Sequence, residues 1–337
     1  MKLQKLALSG LLLSFILLSP LNLQAQDTEQ KEAFQAMERY QAEALKVNDP
    51  VKRASIDKYR QELAENGYRK PQNLLKSYQR NITLLQSDGK FSDLNDNKVG
   101  HSSNGNAANS GEVIVEALQR VLSISEAFRT GKLEYKRDSD LWKHCQSAIQ
   151  HYGLLEIGRP NNYKRFHSSC FAIPQMATNI YFCHLKLMDD LEKGNNKDPQ
   201  LTATCKMLKT LALQSWTQPY RNDATDRNVV QIERFRHHVW WVGGNALGYR
   251  CLISTAFMFR SIPMLDLLSE VCQHSISTTS QSTYESSFWN EGFTADGAGW
   301  GHGRQCLIWG YPIDGTLNAL NMLSMLKGSP WERKLSK

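Results

Sequence analysis

After its first 25 residues the 337-residue chain has no run of about 18 apolar residues, so the sequence offers no membrane span. It has no CxxC pair. Its seven cysteines (145, 170, 183, 205, 251, 272 and 306) fall at no metal-like spacing, and most sit among apolar neighbours, as in YFCHL and SEVCQ. Buried thiols are therefore expected, the odd count leaves at least one without an intramolecular partner, and no metal or other cofactor is indicated. Sustained period-2 alternation is missing, so no sheet is expected. There is no repeat of tetratricopeptide or ankyrin type. Neither charge sign dominates: 40 Lys and Arg face 33 Asp and Glu. Removing residues 1–25, which hold two lysines and no acids, leaves 38 − 33 = +5. That mild balance suits an ordinary solvated surface or a cleft that attracts a polyanion, and nothing in it points to nucleic acid.

What is present begins with MKLQKLALSGLLLSFILLSPLNLQAQ. Lys2 and Lys5, an apolar core from Leu6 to Leu18 and the small-residue site Leu23-Gln24-Ala25 form a secretory signal pattern, with cleavage after Ala25. The mature protein is expected to be soluble, in a periplasm or outside the cell, with no membrane partner. Its oligomeric state is not legible.

Helical periodicity then dominates. It predicts helices over 111–128, 140–158, 177–194, 199–216, 248–260 and 261–276, separated by breakers such as GRPNN (158–162) and KGNNKDP (193–199). Segment 91–110, polar and rich in Gly, Asn and Ser, reads as a long loop. One all-α domain over 26–337, built of helical hairpins, fits this pattern.

Two segments carry candidate chemistry. In VWWVGGNALGYR (239–250), Trp240 and Trp241 precede Gly243-Gly244-Asn245. Asn245 reads equally as a helix N-cap and as an amide donor to a ligand, with the tryptophans as flat faces for sugar rings. In DGAGWGHGRQCLIWGYPIDG (296–315), six of twenty residues are glycine, and Trp300, His302 and Arg304 lie among them. Pro312 suits the first turn of a helix whose apolar stripe is Ile313, Leu317, Leu320 and Leu323, which puts Tyr311 at a loop-to-helix junction. A lone His or Tyr is usually structural, but this loop is too glycine-rich to be a packing element. Arg304 reads equally as an exposed loop arginine and as a contact for a sulfate or carboxylate.

At these residues the chain resembles polysaccharide lyase family 8, the chondroitin, hyaluronate and xanthan lyases. The resemblance rests on Gly243-Gly244-Asn245 after the aromatic pair, and on the DG-x4-H-x8-Y order of Asp296-Gly297, His302 and Tyr311. It implies an incomplete (α/α) toroid over about 110–330 and β-elimination on a uronic-acid-containing glycan such as chondroitin sulfate or hyaluronan. It also implies catalytic Asn245, His302 and Tyr311, with Trp240, Trp241, Trp300 and Arg304 as substrate contacts. Asn245 would hold the uronate carboxylate, Tyr311 would protonate the leaving oxygen, and His302 or Tyr311 would take the proton according to the substrate.

The family's supporting arginine and glutamate lie well beyond the tyrosine, and a C-terminal β-sandwich domain follows its toroid. This chain stops 337 − 311 = 26 residues after Tyr311, so the resemblance covers the toroid part alone. A non-catalytic glycan-binding toroid is the main alternative. A carboxylate hydrolase using Glu285, Glu291 or Asp296 leaves the His–Tyr spacing unexplained. His237-His238 is a poor metal site, because adjacent side chains point apart.

Overall fold

The computed structural model describes residues 10–66, 70–96, 111–160, 164–219, 247–277, 279–281, 292–294, 298–301, 305–306 and 310–334, by backbone alone at 10–25, 166, 247–250, 274–277, 279–281, 292–294, 299–301, 305 and 311–312. The fold is all-α, with eleven α-helices among the described residues. They are α1 (Gly10–Lys46), α2 (Pro50–Asn66), α3 (Leu74–Leu84), α4 (Glu112–Arg129), α5 (Ser139–Ile157), α6 (Ile173–Cys183), α7 (Leu185–Glu192), α8 (Pro199–Thr217), α9 (Leu247–Met258), α10 (Ile262–Ser277) and α11 (Tyr311–Met325). A π-helical turn, Phe166–Ala172, leads into α6.

The helices stack as successive pairs. Helix α4 packs on α5, α6 on α8, and α9 on α10. One row runs α4–α6–α9–α11 and a second joins α5 to α8, while α1 lies across α5, α8 and α10. A single apolar cluster runs through all of them, from Met37 on α1 to Met322 on α11. The local reasons are visible in the breakers. In KGNNKDP the Asp198 carboxylate accepts from the amides of Gln200 (2.8 Å) and Leu201 (3.4 Å), and Pro199 fills the first helical position of α8.

Three expectations are corrected. The single helix expected over 177–194 is divided at His184, whose buried ring is bound to Tyr135 from another segment. The expected loop 91–110 begins with pinned residues. Phe91 is buried and bridges Leu85, Asp93 pairs with Arg120, and Asp96 meets His151 at 2.8 Å. The turn into it needs Gly89, at φ 88, because a Cβ there would lie 2.4 Å from the backbone of Ser147 and Ala148. Residues 97–110 lie outside the described residues.

The third correction concerns strands. Among the described residues, four form one small sheet in the order β1 (Thr279–Gln281), β2 (Gly292–Thr294), β3 (Gly299–Gly301) and β4 (Gln305–Cys306). The β1–β2 pair is parallel and the other two are antiparallel. Strands of two or three residues are too short to show an alternation in sequence, and the fold remains helical.

Helix α11 forms where Pro312 predicts it, but of its expected apolar stripe only Leu323 packs against the core. Ile313 and Leu317 are each 50% exposed and Leu320 is 42% exposed. The buried face is instead Gly315, Asn318, Ala319 and Met322. Small residues let the helix approach α10 closely, and the Cys272 thiol lies 3.1 Å from the Ala319 carbonyl.

Seven free thiols are present, six of them buried and Cys306 exposed. No described helix is long and apolar enough to cross a membrane.

A buried cation holds the helix ends together. Arg60 of α2 is 1% exposed and donates to the carbonyls of Phe257 (2.9 Å) and Met258 (3.3 Å) at the end of α9. It also meets the Tyr181 hydroxyl at 3.2 Å and pairs with Asp189. Burial works against its charge, but Tyr181, Asp189 and Glu192 outweigh that and hold its pKa above the usual arginine value. Arg260, in the left-handed region at φ 53, shares Asp189 and pairs with Asp57. Lys209 of α8 bridges Glu192 (2.6 Å) and the Gln41 amide oxygen of α1 (2.8 Å).

Truncating Arg60 leaves two buried helix-end carbonyls without their donor and part-buried Asp189 with Arg260 alone. Arg60→Ala should cost about 3–5 kcal/mol in denaturant unfolding. The more exposed Lys206→Ala, which loses its pair with Glu38 and its place over the Phe34 ring, should cost about 1 kcal/mol or less. Equal losses would show that the Arg60 network does not anchor the helices.

Candidate functional site

The elements flanking the candidate catalytic residues adjoin one another. Helix α9 starts at Leu247, two residues after Asn245. Strand β3 ends at Gly301, immediately before His302, and β4 starts at Gln305, immediately after Arg304. Gly301 pairs with Gln305 in the antiparallel β3–β4 pair. Tyr311 is the first residue of α11. Helix α11 packs against both α9 and β3.

Glycine makes these junctions possible. Gly310 caps α11 with φ 75 and ψ −125, a conformation costly for any residue with a Cβ. Gly299 and Gly301, two residues apart, leave one face of β3 bare. Trp300 between them pairs in backbone register with Gly292 on one side and Cys306 on the other.

Asn245, Trp240, Trp241, His302 and Arg304 lie outside the described residues, as do Glu285, Glu291, Asp296, His237 and His238. Trp300 and Tyr311 are placed by their backbone. The structure therefore brings together the elements that carry the site.

Among the described side chains, two buried polar groups were not read from the sequence. The first centres on His184, which is 1% exposed and ringed by Phe128, Tyr135 and Trp142, with the Trp142 ring centroid 4.0 Å away. The Tyr135 hydroxyl and His184 Nδ1 share a hydrogen bond at 2.6 Å, and Nε2 meets no hydrogen-bond partner. Burial depresses the His184 pKa to about 3 and pushes Tyr135 well above the usual phenol range. Both shifts oppose proton exchange near neutral pH, so the pair is a packing device and not an acid–base couple.

The second group is the Glu126 carboxylate, held by Lys70 at 3.0 Å, by Arg129 and by the Cys183 thiol at 3.4 Å. Burial raises its pKa, but the two cations outweigh burial and bring it down to about 2. Among the described residues no cluster of three or more His, Cys, Asp or Glu side chains could hold a metal.

Both groups have folded pKa values below their unfolded ones, so each contributes stability at neutral pH that is lost on acidification. For His184 the loss runs from 6.5 down towards 3, and for Glu126 from 4.5 down towards 2. Between roughly pH 6 and pH 4.5 the wild-type unfolding free energy should fall by up to about 1.4 kcal/mol per pH unit. His184→Gln should remove that slope in pH-dependent denaturant titrations. An unchanged slope would show that another group carries the acid sensitivity.

Protein-family models, curated proteins and solved structures contain no match to the chain.

Proposed function

We propose that the chain is a polysaccharide lyase domain of the α/α-toroid kind, cleaving a uronic-acid-containing glycan of the chondroitin sulfate or hyaluronan type by β-elimination. The observation that supports this reading is the packing of α11, which begins at Tyr311, on α9, which begins two residues after Asn245, and on β3, which ends one residue before His302. Stacked helical pairs are the architecture that such a toroid requires. In this reading the export signal directs the protein to the periplasm or outside the cell. Cleavage after Ala25 would spare Gln30, Met37, Tyr40 and Gln41, through which α1 holds the helical body.

The chemistry follows from the acidity problem at C5 of a uronate. That proton is poorly acidic while the adjacent carboxylate is fully charged. The neutral amide of Asn245 binds the carboxylate and stabilises negative charge spreading into it as the proton leaves. The base is His302 or Tyr311, according to which sugar face carries the proton. The electron pair from the broken C5–H bond forms the C4–C5 double bond, and the C4–O bond breaks. Tyr311 protonates the departing oxygen. Its place at the first position of α11 lies where the backbone dipole favours an oxyanion. Trp240, Trp241 and Trp300 offer stacking faces to pyranose rings, and Arg304 pairs with a sulfate or carboxylate. No cofactor is required.

Incubating the mature protein with chondroitin sulfate or hyaluronan should raise the ultraviolet absorbance of the unsaturated product. Tyr311→Phe should reduce that rate by at least about 10²-fold, and Asn245→Ala by about 10²–10³-fold. Salt-sensitive binding without absorbance would identify a glycan-binding toroid instead. New reducing ends without the chromophore would mean hydrolysis.

A further inference from the structure

A cavity of about 220 Å³ lies between α1, the end of α5 and α8. That is roughly the liquid volume of seven waters, below the range of drug-sized pockets. It suits a small metabolite. Its described lining comes from α1, Ile157, Lys164, α8 and Pro219.

Its wall contains Gln214 of α8, 6% exposed, whose amide nitrogen and oxygen both lack a hydrogen-bond partner in the protein. An unpaired buried polar atom costs about 1–3 kcal/mol, and here one side chain carries two. Beside it is the ammonium of Lys164, 4% exposed and 3.5 Å from the Ile157 carbonyl. From α1 come two carboxylates, half-buried Glu29 and exposed Glu32. Ala33, Ala36 and Leu213 supply apolar wall, and none of the described lining residues is aromatic.

These groups select an occupant. The Gln214 amide can donate with its nitrogen and accept with its oxygen, so it suits a molecule carrying an acceptor and a donor side by side. Lys164 suits an anionic acceptor, and Glu29 with Glu32 suit a cationic donor. A sugar diol would satisfy Gln214, but it would bring no opposite charge to Lys164, Glu29 or Glu32. We propose that this cavity binds a free aliphatic α-amino acid. Its carboxylate meets Lys164 and the Gln214 amide nitrogen, its ammonium meets Glu29 and the Gln214 amide oxygen, and its side chain lies against Ala33, Ala36 and Leu213.

L-Leucine is the probe, titrated into the mature full-length protein by calorimetry and by thermal melting. Saturable binding with a raised Tm is expected. Isocaproate, which lacks the ammonium, and isoamylamine, which lacks the carboxylate, should each bind at least about tenfold more weakly, the equivalent of one lost charged contact. Gln214→Leu should abolish the leucine response and leave the unliganded Tm unchanged or higher, because it removes an unpaired amide from a buried place. Lys164→Met gives a second variant, with the same loss of leucine binding expected. No saturable leucine binding would overturn the proposal, as would equal affinity for isocaproate or isoamylamine, preference for glucose, or full leucine affinity in either folded variant. Glycan cleavage is read separately by ultraviolet absorbance, so the two sites stand or fall independently.

Discussion

The fold depends on one guanidinium placed where water cannot reach it. Helix α9 ends with its last carbonyls pointing into the protein, and a buried helix end needs donors. Arg60 supplies them from α2 through Nη1 and turns Nη2 to Asp189 and Tyr181. Through Arg260, Glu192 and Lys209 the same network reaches α1, α7 and the corner before α10. The helix fixed in this way is the one that opens two residues after Asn245. One of its ends is held by buried charge, which leaves its other end free to serve the candidate site.

Much of the helical order is legible in the sequence, because long amphipathic periods and their breakers are local signals. The predicted segments 111–128, 140–158, 199–216, 248–260 and 261–276 differ from α4, α5, α8, α9 and α10 by no more than two residues at either end. The break at His184 was not legible, since it follows from a hydrogen bond to Tyr135, 49 residues away. The small sheet escaped for a different reason: glycine-flanked strands of two or three residues pair through backbone and leave no pattern in side chains.

Helix α11 shows the limit of reading apolar stripes. Ile313, Leu317 and Leu320 are correctly aligned on one face, yet the face with glycine and alanine is the one that packs. Periodicity reports that a helix is two-sided. Which side is covered depends on how closely its neighbours approach, and small residues decide that by volume. The candidate site is legible in another way again. The order of Asn245, His302 and Tyr311 is a sequence pattern, whereas the contact between α9, α11 and β3 is a fact of topology. Gln214 and Lys164 carried no sequence signal, because an unpaired amide beside a buried amine is recognisable only once α1, α5 and α8 are assembled.

The placement of α1 also dictates when the protein is finished. Its partners come from far along the chain: Glu38 and Gln41 meet Lys206 and Lys209, each 168 residues away, and Gln41 reaches the carbonyl of Phe259, 218 residues on. The first helix to emerge must therefore wait for residues near the end of α9 before it can dock. Such long loop closures slow folding, because chain entropy is lost before the contacts form. Under the export proposed above, that delay would keep the leading segment open during passage until the residues it docks on have crossed.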